Sequence, residues 1–361
     1  MKVDLNNIES IKQADPSGYL PILKNTPADI KKVWEEFKAQ NFAAKKFDKI
    51  VVCAMGGSAI GADMAKSVVE KYSHLPMQIV RDYQLPNWVD DKTLAIIISY
   101  SGNTEETISG FVDAQNRGAQ IFCITSGGKL LELAQENSLD HFVLPPNMPP
   151  RTAWGHSFFV VLELLIKYEV LNPVLVSLDS SIQVMQETIE ECWEDVSADK
   201  NEAKQIAAML TESIPVVFAA EHLAAVARRW KGEFNENTKI HSFFDEVPEL
   251  NHNAQQGLEA ADDLKKAVRI LILQSHLYHP RNQLRAQIIQ ESFSAQGLST
   301  DLVKIGGKNI TESICRGVII GDYISVYLAF LLGHDPVPFQ AIEDLKAKLD
   351  SKKYVAELLS K

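Results

Sequence analysis

The chain has 361 residues, of which 46% are hydrophobic and 23% are charged, and its formal net charge is −11. This length is enough for two buried cores, because single domains usually have roughly 100–200 residues. The acidic balance, without runs in which aromatic residues alternate with Lys or Arg, argues against a nucleic-acid interface. We therefore expect two domains that bind no nucleic acid.

The cysteines and the apolar runs indicate a cytoplasmic protein. No two cysteines form a CxxC pair, which argues against a structural zinc site or a disulfide framework and fits a reducing compartment. The first residues lack the apolar core of a signal peptide, and no uninterrupted apolar run approaches membrane-spanning length. We expect no membrane contact. The four cysteines are Cys53, Cys123, Cys192 and Cys315.

Residues 1–45 form a polar, amphipathic N-terminal arm. Pro16, Pro21 and Pro27 interrupt it, and the apolar spacing over residues 30–37 predicts one helix. We expect this helical arm to pack on a sheet edge or on a second subunit.

Alternating strands and helices follow over residues 46–175. Helices are predicted at about 60–72, 104–117 and 129–136. Five strands are predicted at 49–55, 77–80, 94–99, 119–125 and 141–144. Alternating βα units of this length predict a parallel sheet with helices on both faces. Ligands of such sheets bind beyond the carboxyl ends of the strands.

The first strand runs into a glycine turn, Gly56-Gly57-Ser58-Ala59-Ile60-Gly61, and then a helix, which is typical of a phosphate loop. A nucleotide is poorly supported, because Ala62-Asp63 stands where a Walker motif needs Lys and Ser/Thr, and GxGxxG is not met. GxSxG fails as well, so a nucleophile elbow is unsupported. No nucleotide or redox cofactor is expected.

A second polar loop follows the apolar strand at 94–99. Its hydroxyl side chains, Ser99, Ser101 and Thr104, lie beside the first turn of a helix, where backbone N–H groups lack intrahelical partners. The pattern predicts a phosphate cradle. An ordinary capping box, with Ser101 or Asn103 before acidic residues, also fits it.

Both polar loops fall at the carboxyl edge of the predicted sheet, so we expect Gly56, Gly57 and Ser58 to share one ligand with the hydroxyl loop. Arg151 follows a proline-dense segment that stiffens the backbone, which predicts a guanidinium held in place at a helix start. A helix start is a poor place for a merely solvated cation. A role beside the phosphate loops is therefore favoured over a surface arginine.

A linker is expected near 172–180, and a second series of strands and helices follows it. Helices are predicted at about 222–236, 281–296 and 309–331, with strands at 214–220, 239–244, 268–274 and 299–305. The fold class is thus α/β, with tandem domains over 46–175 and 176–361. Only the first carries the hydroxyl cradle, so the second is expected to provide a wall, a catalytic donor and a dimer surface.

Several short segments together resemble one family: Met55–Ser58, Ser99–Thr107, Pro150-Arg151, Asn235-Glu236-Asn237 and Glu249–Asn253. They are similar to the bifunctional phosphoglucose/phosphomannose isomerases of the sugar isomerase (SIS) domain superfamily, over about residues 50–350. The hydroxyl loop alone indicates only a SIS domain. Arg151, Glu236 and His252 in this order, with their neighbours, are specific to the isomerases. The resemblance implies two SIS-type domains and aldose–ketose isomerisation of a sugar phosphate.

The resemblance also implies a catalytic set. Glu236 would be the base that moves a proton between C2 and C1 of the sugar, and Arg151 would stabilise the enediolate charge. His252 would open the sugar ring and would come from the partner subunit, so a homodimer is implied. Lys346 matches the family's C-terminal lysine near the ring oxygen. No metal and no other cofactor is implied.

Each of these residues also has a plain structural interpretation. Glu236 could lie on a solvated helical face, and Glu233 is the alternative base. His252 could be a turn histidine among asparagines, and Lys346 could be one more charge on a terminal helix.

The substrate that the resemblance implies is glucose 6-phosphate, interconverted with fructose 6-phosphate. In the family, acceptance of mannose 6-phosphate as well goes with a small hydroxyl residue about seven positions before the lysine, where Phe339 or Gln340 stands in this chain. A non-catalytic sugar-phosphate sensor built on the same cradle would need neither Glu236 nor His252 and is the main alternative. A SIS isomerase that forms glucosamine phosphate is disfavoured, because no N-terminal glutaminase cysteine is present.

Overall fold

A computed structural model describes residues 3–43, 45–146 and 148–360. The chain forms two compact units whose bounds differ from the expected domains. Unit 1 comprises Met1–Pro27 and Ser177–Pro338, and unit 2 comprises Ala28–Val176 and Phe339–Lys361. The expected arm over 1–45 is therefore divided. The division after Val176 lies inside the linker expected over 172–180.

The N-terminal residues form two helices, α1 (Ile8–Ala14) and α2 (Tyr19–Lys38). The second helix runs through Pro27, where a break was predicted. A proline removes one helical hydrogen bond, but here the buried apolar face continues on both sides of it and keeps the helix intact. That face includes Leu20, Leu23, Ile30, Val33 and Phe37.

Unit 2 contains a five-stranded parallel sheet of order β2-β1-β3-β4-β5. β1 and β3 are buried along almost their whole length, as in sheets with helices on both faces. The strand order reverses between them, so the loops that follow β1 and β3 flank the switch point where such sheets bind ligands. The strands are β1 (Lys49–Ala54), β2 (Met77–Val80), β3 (Thr93–Ser99), β4 (Gln120–Thr125) and β5 (Asp140–Val143).

The helices of unit 2 that follow these strands include one that is almost entirely buried, α6. They are α3 (Gly56–Tyr72), α4 (Glu105–Asn116), α5 (Gly128–Glu136), α6 (Trp154–Lys167) and α7 (Pro173–Val176). α3 and α6 approach closely at Gly61, where a Cβ atom would lie 2.2 Å from the hydroxyl of Ser157 and 2.5 Å from the carbonyl of Trp154. Glycine at this position therefore lets α6 lie directly on α3.

Unit 1 contains a four-stranded parallel sheet of order β7-β6-β8-β9. Its helices are α8 (Leu178–Cys192), α9 (Glu202–Leu210), α10 (Ala224–Thr238), α11 (Asp262–Lys266), α12 (Pro280–Ala295) and α13 (Ile310–Leu331). Its strands are β6 (Ile214–Ala220), β7 (Phe243–Val247), β8 (Val268–Gln274) and β9 (Ser299–Lys304). The prediction of two α/β domains, each a parallel sheet flanked by helices, is confirmed.

The second strand of unit 1 was predicted at 239–244 and lies at Phe243–Val247. α10 continues to Thr238, and Lys239 ends it in a left-handed conformation with φ of 62°. The chain therefore cannot become extended as early as the apolar pattern predicted.

The N-terminal residues are held on unit 1 by a buried lysine of α9. The ammonium of Lys204 donates hydrogen bonds to the carbonyl oxygens of Leu5 (2.7 Å), Glu194 (2.7 Å) and Val196 (2.8 Å). A buried ammonium group requires such acceptors, because an unpaired charge in the interior is costly. This contact explains why the first residues group with the second half of the sequence.

The last two helices, α14 (Gln340–Asp350) and α15 (Tyr354–Leu359), belong to unit 2. Val355, Leu358 and Leu359 pack against the hydrophobic core of that unit. The ring of Tyr354 meets the ring of Tyr83 edge-on, with 5.4 Å between their centroids. These contacts remove the C-terminal segment from the domain expected over 176–361.

α13 is long and apolar enough to cross a membrane by length and composition alone. Its most apolar stretch is 89% buried inside the protein, as is typical of a core helix. Charged residues such as Arg316 and Asp322 interrupt its apolar sequence, which is why no uninterrupted apolar run of that length is present.

Candidate functional site

The loops after β1 and β3 meet at the switch point of the unit 2 sheet. The hydroxyl of Ser58, in the first turn of α3, accepts a hydrogen bond from the N–H of Tyr100 at 3.2 Å. The second loop is closed on itself, because the hydroxyl of Ser99 donates to that of Thr104 at 3.0 Å and accepts from the N–H of Gly102 at 3.1 Å. The two polar loops thus come together as their positions after neighbouring strands predicted.

Two helices begin at this edge without a capping side chain. Gly56 opens α3 in the left-handed conformation, φ 50°, and the preceding Met55 makes no capping hydrogen bond. Thr104 precedes α4 and makes no capping bond either. The first N–H groups of both helices, that of Gly57 included, therefore receive no bond from an N-cap side chain, and the partial positive charge of each terminus faces this edge.

The alternative of an ordinary capping box on α4 is wrong. The side-chain oxygen of Asn103 accepts a hydrogen bond from the N–H of Lys129 at 3.0 Å, at the start of α5 rather than α4. Ser101 accepts from the N–H of Asn103 at 3.3 Å. The polar residues of the loop therefore leave the start of α4 open.

Three hydroxyl groups at this edge each accept a hydrogen bond and keep their own proton available. Ser58 and Ser101 accept from backbone N–H groups, and Thr104 accepts from the hydroxyl of Ser99. Within the described ranges, none of the three protons is donated to another protein group. A phosphate oxygen is a hydrogen-bond acceptor, so three hydroxyl groups with a proton to donate suit it. Ser99 is buried behind Thr104 and orients that hydroxyl.

A third loop, after β4, supports the hydroxyl loop. The hydroxyl of Ser126 donates to the carbonyl oxygen of Tyr100 at 2.6 Å. Gly102 has φ of 69° and approaches so closely that a Cβ atom there would lie 1.8 Å from the carbonyl oxygen of Gly127. The sequence signal for this loop is Ser126-Gly127-Gly128 directly after a strand, a pattern that predicts a turn but not its contact with the hydroxyl loop.

Tyr100 connects the hydroxyl loop to the proline-rich segment that precedes Arg151. Its hydroxyl donates to the carbonyl oxygen of Pro145 at 2.7 Å and accepts from the N–H of Met148 at 2.9 Å. Burial raises the pKa of Tyr100, so the hydroxyl keeps its proton and remains a donor. The sequence does not single out Tyr100, because one tyrosine between two serines has no spacing signal.

Arg151 lies in a short 3-10 turn, Pro150–Ala153, directly before α6. Its side chain is buried, and its guanidinium carbon lies 5.3 Å from the centroid of the Phe339 ring. The turn packs against α3, the helix that begins with Gly56. Unit 2 therefore holds a buried cation on the element next to the helix that the glycine turn opens.

Lys346 belongs to the same unit as the cradle, although its sequence position placed it in the second domain. It lies on α14, which begins directly after Phe339, and its side chain is exposed. The residue that touches Arg151 is therefore also the N-cap residue of the helix that carries Lys346.

Unit 1 carries the other two predicted catalytic residues. Glu236 lies in the last turn of α10, and its side chain is half-buried. His252 ends the 3-10 turn Glu249–His252 and is exposed. The neighbouring Asn251 accepts a hydrogen bond from the guanidinium of Arg285 at 3.1 Å, which anchors this turn to α12.

The alternative base, Glu233, is not available to a substrate. Its side chain is buried, and its two oxygens contact the guanidinium of Arg229 at 3.2 Å and the amide of Asn237 at 3.0 Å. Of the two carboxylates, only Glu236 therefore has an accessible side chain on α10.

Comparison with known proteins connects both units to one family. Residues 44–147 match the SIS domain, and residues 199–349 match the bacterial phospho-glucose isomerase C-terminal SIS domain. A bifunctional phosphoglucose/phosphomannose isomerase of Caldicellulosiruptor bescii is 36% identical over 90% of this chain and 97% of its own. One from Aquifex aeolicus is 36% identical over 83% of this chain and 90% of its own. The chain belongs to the bifunctional phosphoglucose/phosphomannose isomerase family.

The phosphoglucose/phosphomannose isomerase fold is also found in distant solved structures. A hypothetical protein from Thermus thermophilus superposes with a TM-score of 0.74 and is 14% identical in sequence. The superposition covers 95% of this chain and 94% of that protein. This likeness shows the fold alone. The family membership confirms the resemblance that the short segments indicated, and it identifies the chain as an isomerase.

Proposed function

We propose that this isomerase interconverts glucose 6-phosphate and fructose 6-phosphate. The observation that carries the proposal is the set of three hydroxyl groups, on Ser58, Ser101 and Thr104, that accept a hydrogen bond and retain a proton to donate, at the start of two uncapped helices. Neutral hydroxyl and N–H donors bind a phosphate without a cluster of lysines. This accounts for anion binding by a chain with a net charge of −11, because the local field outweighs the net charge.

The reaction proceeds through an enediolate. Glu236 removes the proton from C2 of the open-chain sugar, and the negative charge of the resulting enediolate lies on the two oxygens at C1 and C2, where the guanidinium of Arg151 stabilises it. Glu236 then returns the proton to C1, while the hydroxyl proton of O2 passes to O1, which leaves the carbonyl of the ketose at C2. His252 and Lys346 act at the ring oxygen, where proton transfer opens the ring.

Mannose 6-phosphate is the slower substrate in this proposal. It differs from glucose 6-phosphate only in the configuration at C2, and the enediolate loses that configuration, so both sugars give the same product. Phe339 supports the preference for glucose, because its ring lies next to Arg151 and because Phe339 or Gln340 stands at the sequence position where the resemblance associates dual specificity with a small hydroxyl residue.

The first test measures fructose 6-phosphate formation from each aldose in a coupled assay. Wild-type protein should turn over both sugars, with the higher rate on glucose 6-phosphate. Glu236→Gln should lose roughly a hundredfold or more in kcat. Glu246→Gln, which changes an exposed carboxylate in the same unit, is the control and should keep full activity. Absence of turnover by the wild-type protein would favour the alternative of a non-catalytic sugar-phosphate sensor. Undiminished turnover by Glu236→Gln would show that Glu236 is not the base.

We also propose that the enzyme is a cytoplasmic homodimer in which His252 acts in the partner's site. The exposure of His252 and the anchoring of its turn support a role outside its own subunit. Mixing inactive Glu236→Gln and His252→Asn proteins tests this. Exchange of subunits should restore about a quarter of wild-type activity if one site draws on both chains. No recovery in a mixture with demonstrated subunit exchange contradicts the shared site.

A further inference from the structure

We propose that Asn237 is a positioning residue that holds Glu236 in place for proton transfer, through a buried network between α10 and α13. We call this network the clamp, and it consists of Arg229, Glu233, Asn237, Asp322 and Ser325. The inference rests on the proposed role of Glu236 as the base, and it assigns a function to side chains that touch no substrate.

The clamp begins with an arginine that bridges the two helices. Arg229 donates from Nε to one oxygen of Asp322 at 3.0 Å and from Nη2 to the other at 2.9 Å. Its Nη1 lies 3.2 Å from Glu233, one helical turn further along α10. Such bidentate pairing fixes the angle between the groups as well as their distance.

Asn237 closes the clamp at the end of α10. Its amide nitrogen donates to the second oxygen of Glu233 at 3.0 Å and to the hydroxyl of Ser325 at 2.8 Å. Ser325 in turn donates to the carbonyl oxygen of Asp322 at 2.7 Å. Because Arg229, Glu233 and Asn237 are spaced by four residues, they lie on one face of the helix. All five side chains of the clamp are at most 3% exposed.

The clamp acts on the helix turn that carries the base. The last turn of a helix usually frays, but here the backbone around Glu236 is held by further bonds. The ammonium of Lys239 donates to the carbonyl oxygen of Glu236 at 2.6 Å, and Asn235 accepts from the N–H of Ser242 at 2.8 Å. With Asn237 bound to the clamp, both neighbours of Glu236 are fixed while its own carboxylate stays half-buried.

Stability alone does not account for charged groups in this position. Apolar side chains of similar volume would hold two helices together at least as well, because burying a cation and two carboxylates costs desolvation energy. Burial raises the pKa of Asp322 even though Arg229 opposes this change, which reflects that cost. Directional bonds, unlike apolar contacts, fix the rotation of α10 about its axis and hence the direction of Glu236.

The test compares Asn237→Ala with Tyr327→Phe as a matched control. Tyr327 is buried on α13 and donates its hydroxyl to the carbonyl oxygen of Cys192 at 2.6 Å, so each variant loses a buried side-chain donor. Both should lower Tm. Only Asn237→Ala should lower kcat for glucose 6-phosphate, by about tenfold, with KM within twofold of wild type because the phosphate cradle is unchanged.

A double variant tests whether Asn237 acts through the clamp. Ser325→Ala should lower kcat by about threefold, and Asn237→Ala with Ser325→Ala should lose no more than Asn237→Ala alone, since residues in one network are not additive. If Asn237→Ala does not fold, the kcat of Ser325→Ala is compared with that of Tyr327→Phe instead, and only Ser325→Ala should show the loss.

Three outcomes would contradict the proposal, and each identifies which part of it has failed. A kcat of Asn237→Ala within twofold of wild type, with Glu236→Gln inactive, overturns the clamp and leaves the proposed function standing. An active Glu236→Gln overturns the base assignment, and the clamp falls with it because it then has no base to position. Equal losses of kcat in Asn237→Ala and Tyr327→Phe assign the effect to general destabilisation and also overturn the clamp.

Discussion

The guanidinium of Arg151 lies against the ring of Phe339, with 5.3 Å between the guanidinium carbon and the ring centroid. Both residues belong to unit 2, although 188 positions separate them in the sequence, from 151 to 339. The contact is a cation–π interaction, which contributes about 0.5–2 kcal/mol. It connects the residue proposed to stabilise the enediolate with the first residue of the C-terminal segment.

Removal of the aromatic ring should impair catalysis through Arg151. We expect Phe339→Leu to lower kcat/KM for glucose 6-phosphate about fivefold, because the guanidinium loses the ring that holds it. Phe339→Tyr keeps the ring and should stay within twofold of wild type. Steady-state kinetics of the two variants provides the measurement. Equal kcat/KM values for Phe339→Leu and Phe339→Tyr would show that the aromatic ring does not support the function of Arg151.

Removal of one hydroxyl donor should weaken the grip on phosphate. Thr104→Val keeps the shape of the side chain and removes a donor to an anion, so we expect KM to rise about tenfold. Inorganic phosphate should bind about tenfold more weakly in calorimetry. Thr211→Val is the control, because Thr211 lies at the end of α9 in unit 1 and donates to the carbonyl oxygen of Ala208 at 3.1 Å. Unchanged phosphate binding by Thr104→Val would remove Thr104 from the cradle.

Loss of the Tyr100 hydroxyl should affect kcat more than phosphate binding. Tyr100→Phe breaks the bonds to Pro145 and Met148, and the segment that leads to Arg151 then loses its anchor. We expect kcat to fall about fivefold with KM within twofold. Tyr168→Phe is the control, because the Tyr168 hydroxyl is buried without a hydrogen-bond partner among the described residues. An equal effect of both variants would contradict a positioning role for Tyr100.

A buried histidine should make the protein less stable in mild acid. Burial lowers the pKa of His156 from 6.5 to about 4, and the backbone of Asp29 offsets this only in part. The unfolded chain therefore takes up a proton near pH 6.5 and the folded chain only near pH 4. The free energy of unfolding should be highest above pH 6.5 and should fall by about 3 kcal/mol as the pH is lowered to 4.

Chemical denaturation of His156→Leu at several pH values tests this expectation. The variant has no group that titrates at this position, so its stability should fall about 3 kcal/mol less than that of wild type between pH 7 and pH 4. His74→Gln changes an exposed histidine and should follow the wild-type curve. Parallel curves for wild type and His156→Leu would contradict the assignment.

The strands could be predicted well where both faces of a sheet are covered. β6 and β8 have the predicted bounds, and β1 and β3 differ from theirs by one residue, because burial on both faces produces short apolar runs between turn residues. The edge strand β2, in which Gln78 is exposed, also has its predicted bounds. β7 was placed too early, since the length of α10 depends on its contacts with α13. The C-terminal segment could not be assigned to its unit, because Val355 and Leu358 pack on a core more than two hundred residues earlier in the sequence.

The candidate site was predictable where its residues are neighbours in sequence. Ser99, Ser101 and Thr104 lie in one loop, and its position after a strand predicted that it would meet the glycine turn, but not that Ser99 donates its proton to Thr104. The sequence could not show that Glu233 is buried and Glu236 accessible. The burial of Glu233 depends on its contact with Arg229, and Arg229 is in turn bound to Asp322, which lies 93 positions later in the sequence. The role of Tyr100 likewise depends on hydrogen bonds to segments that are distant in sequence.

The most direct test of the central claim follows hydrogen exchange during the reaction. In D2O, wild-type protein should convert glucose 6-phosphate into fructose 6-phosphate that carries deuterium at C1, because a carboxylate base exchanges its proton with solvent before returning it. Glu236→Gln should form no deuterated product while it binds inorganic phosphate as tightly as wild type. Deuterium incorporation by Glu236→Gln at the wild-type rate would contradict the account.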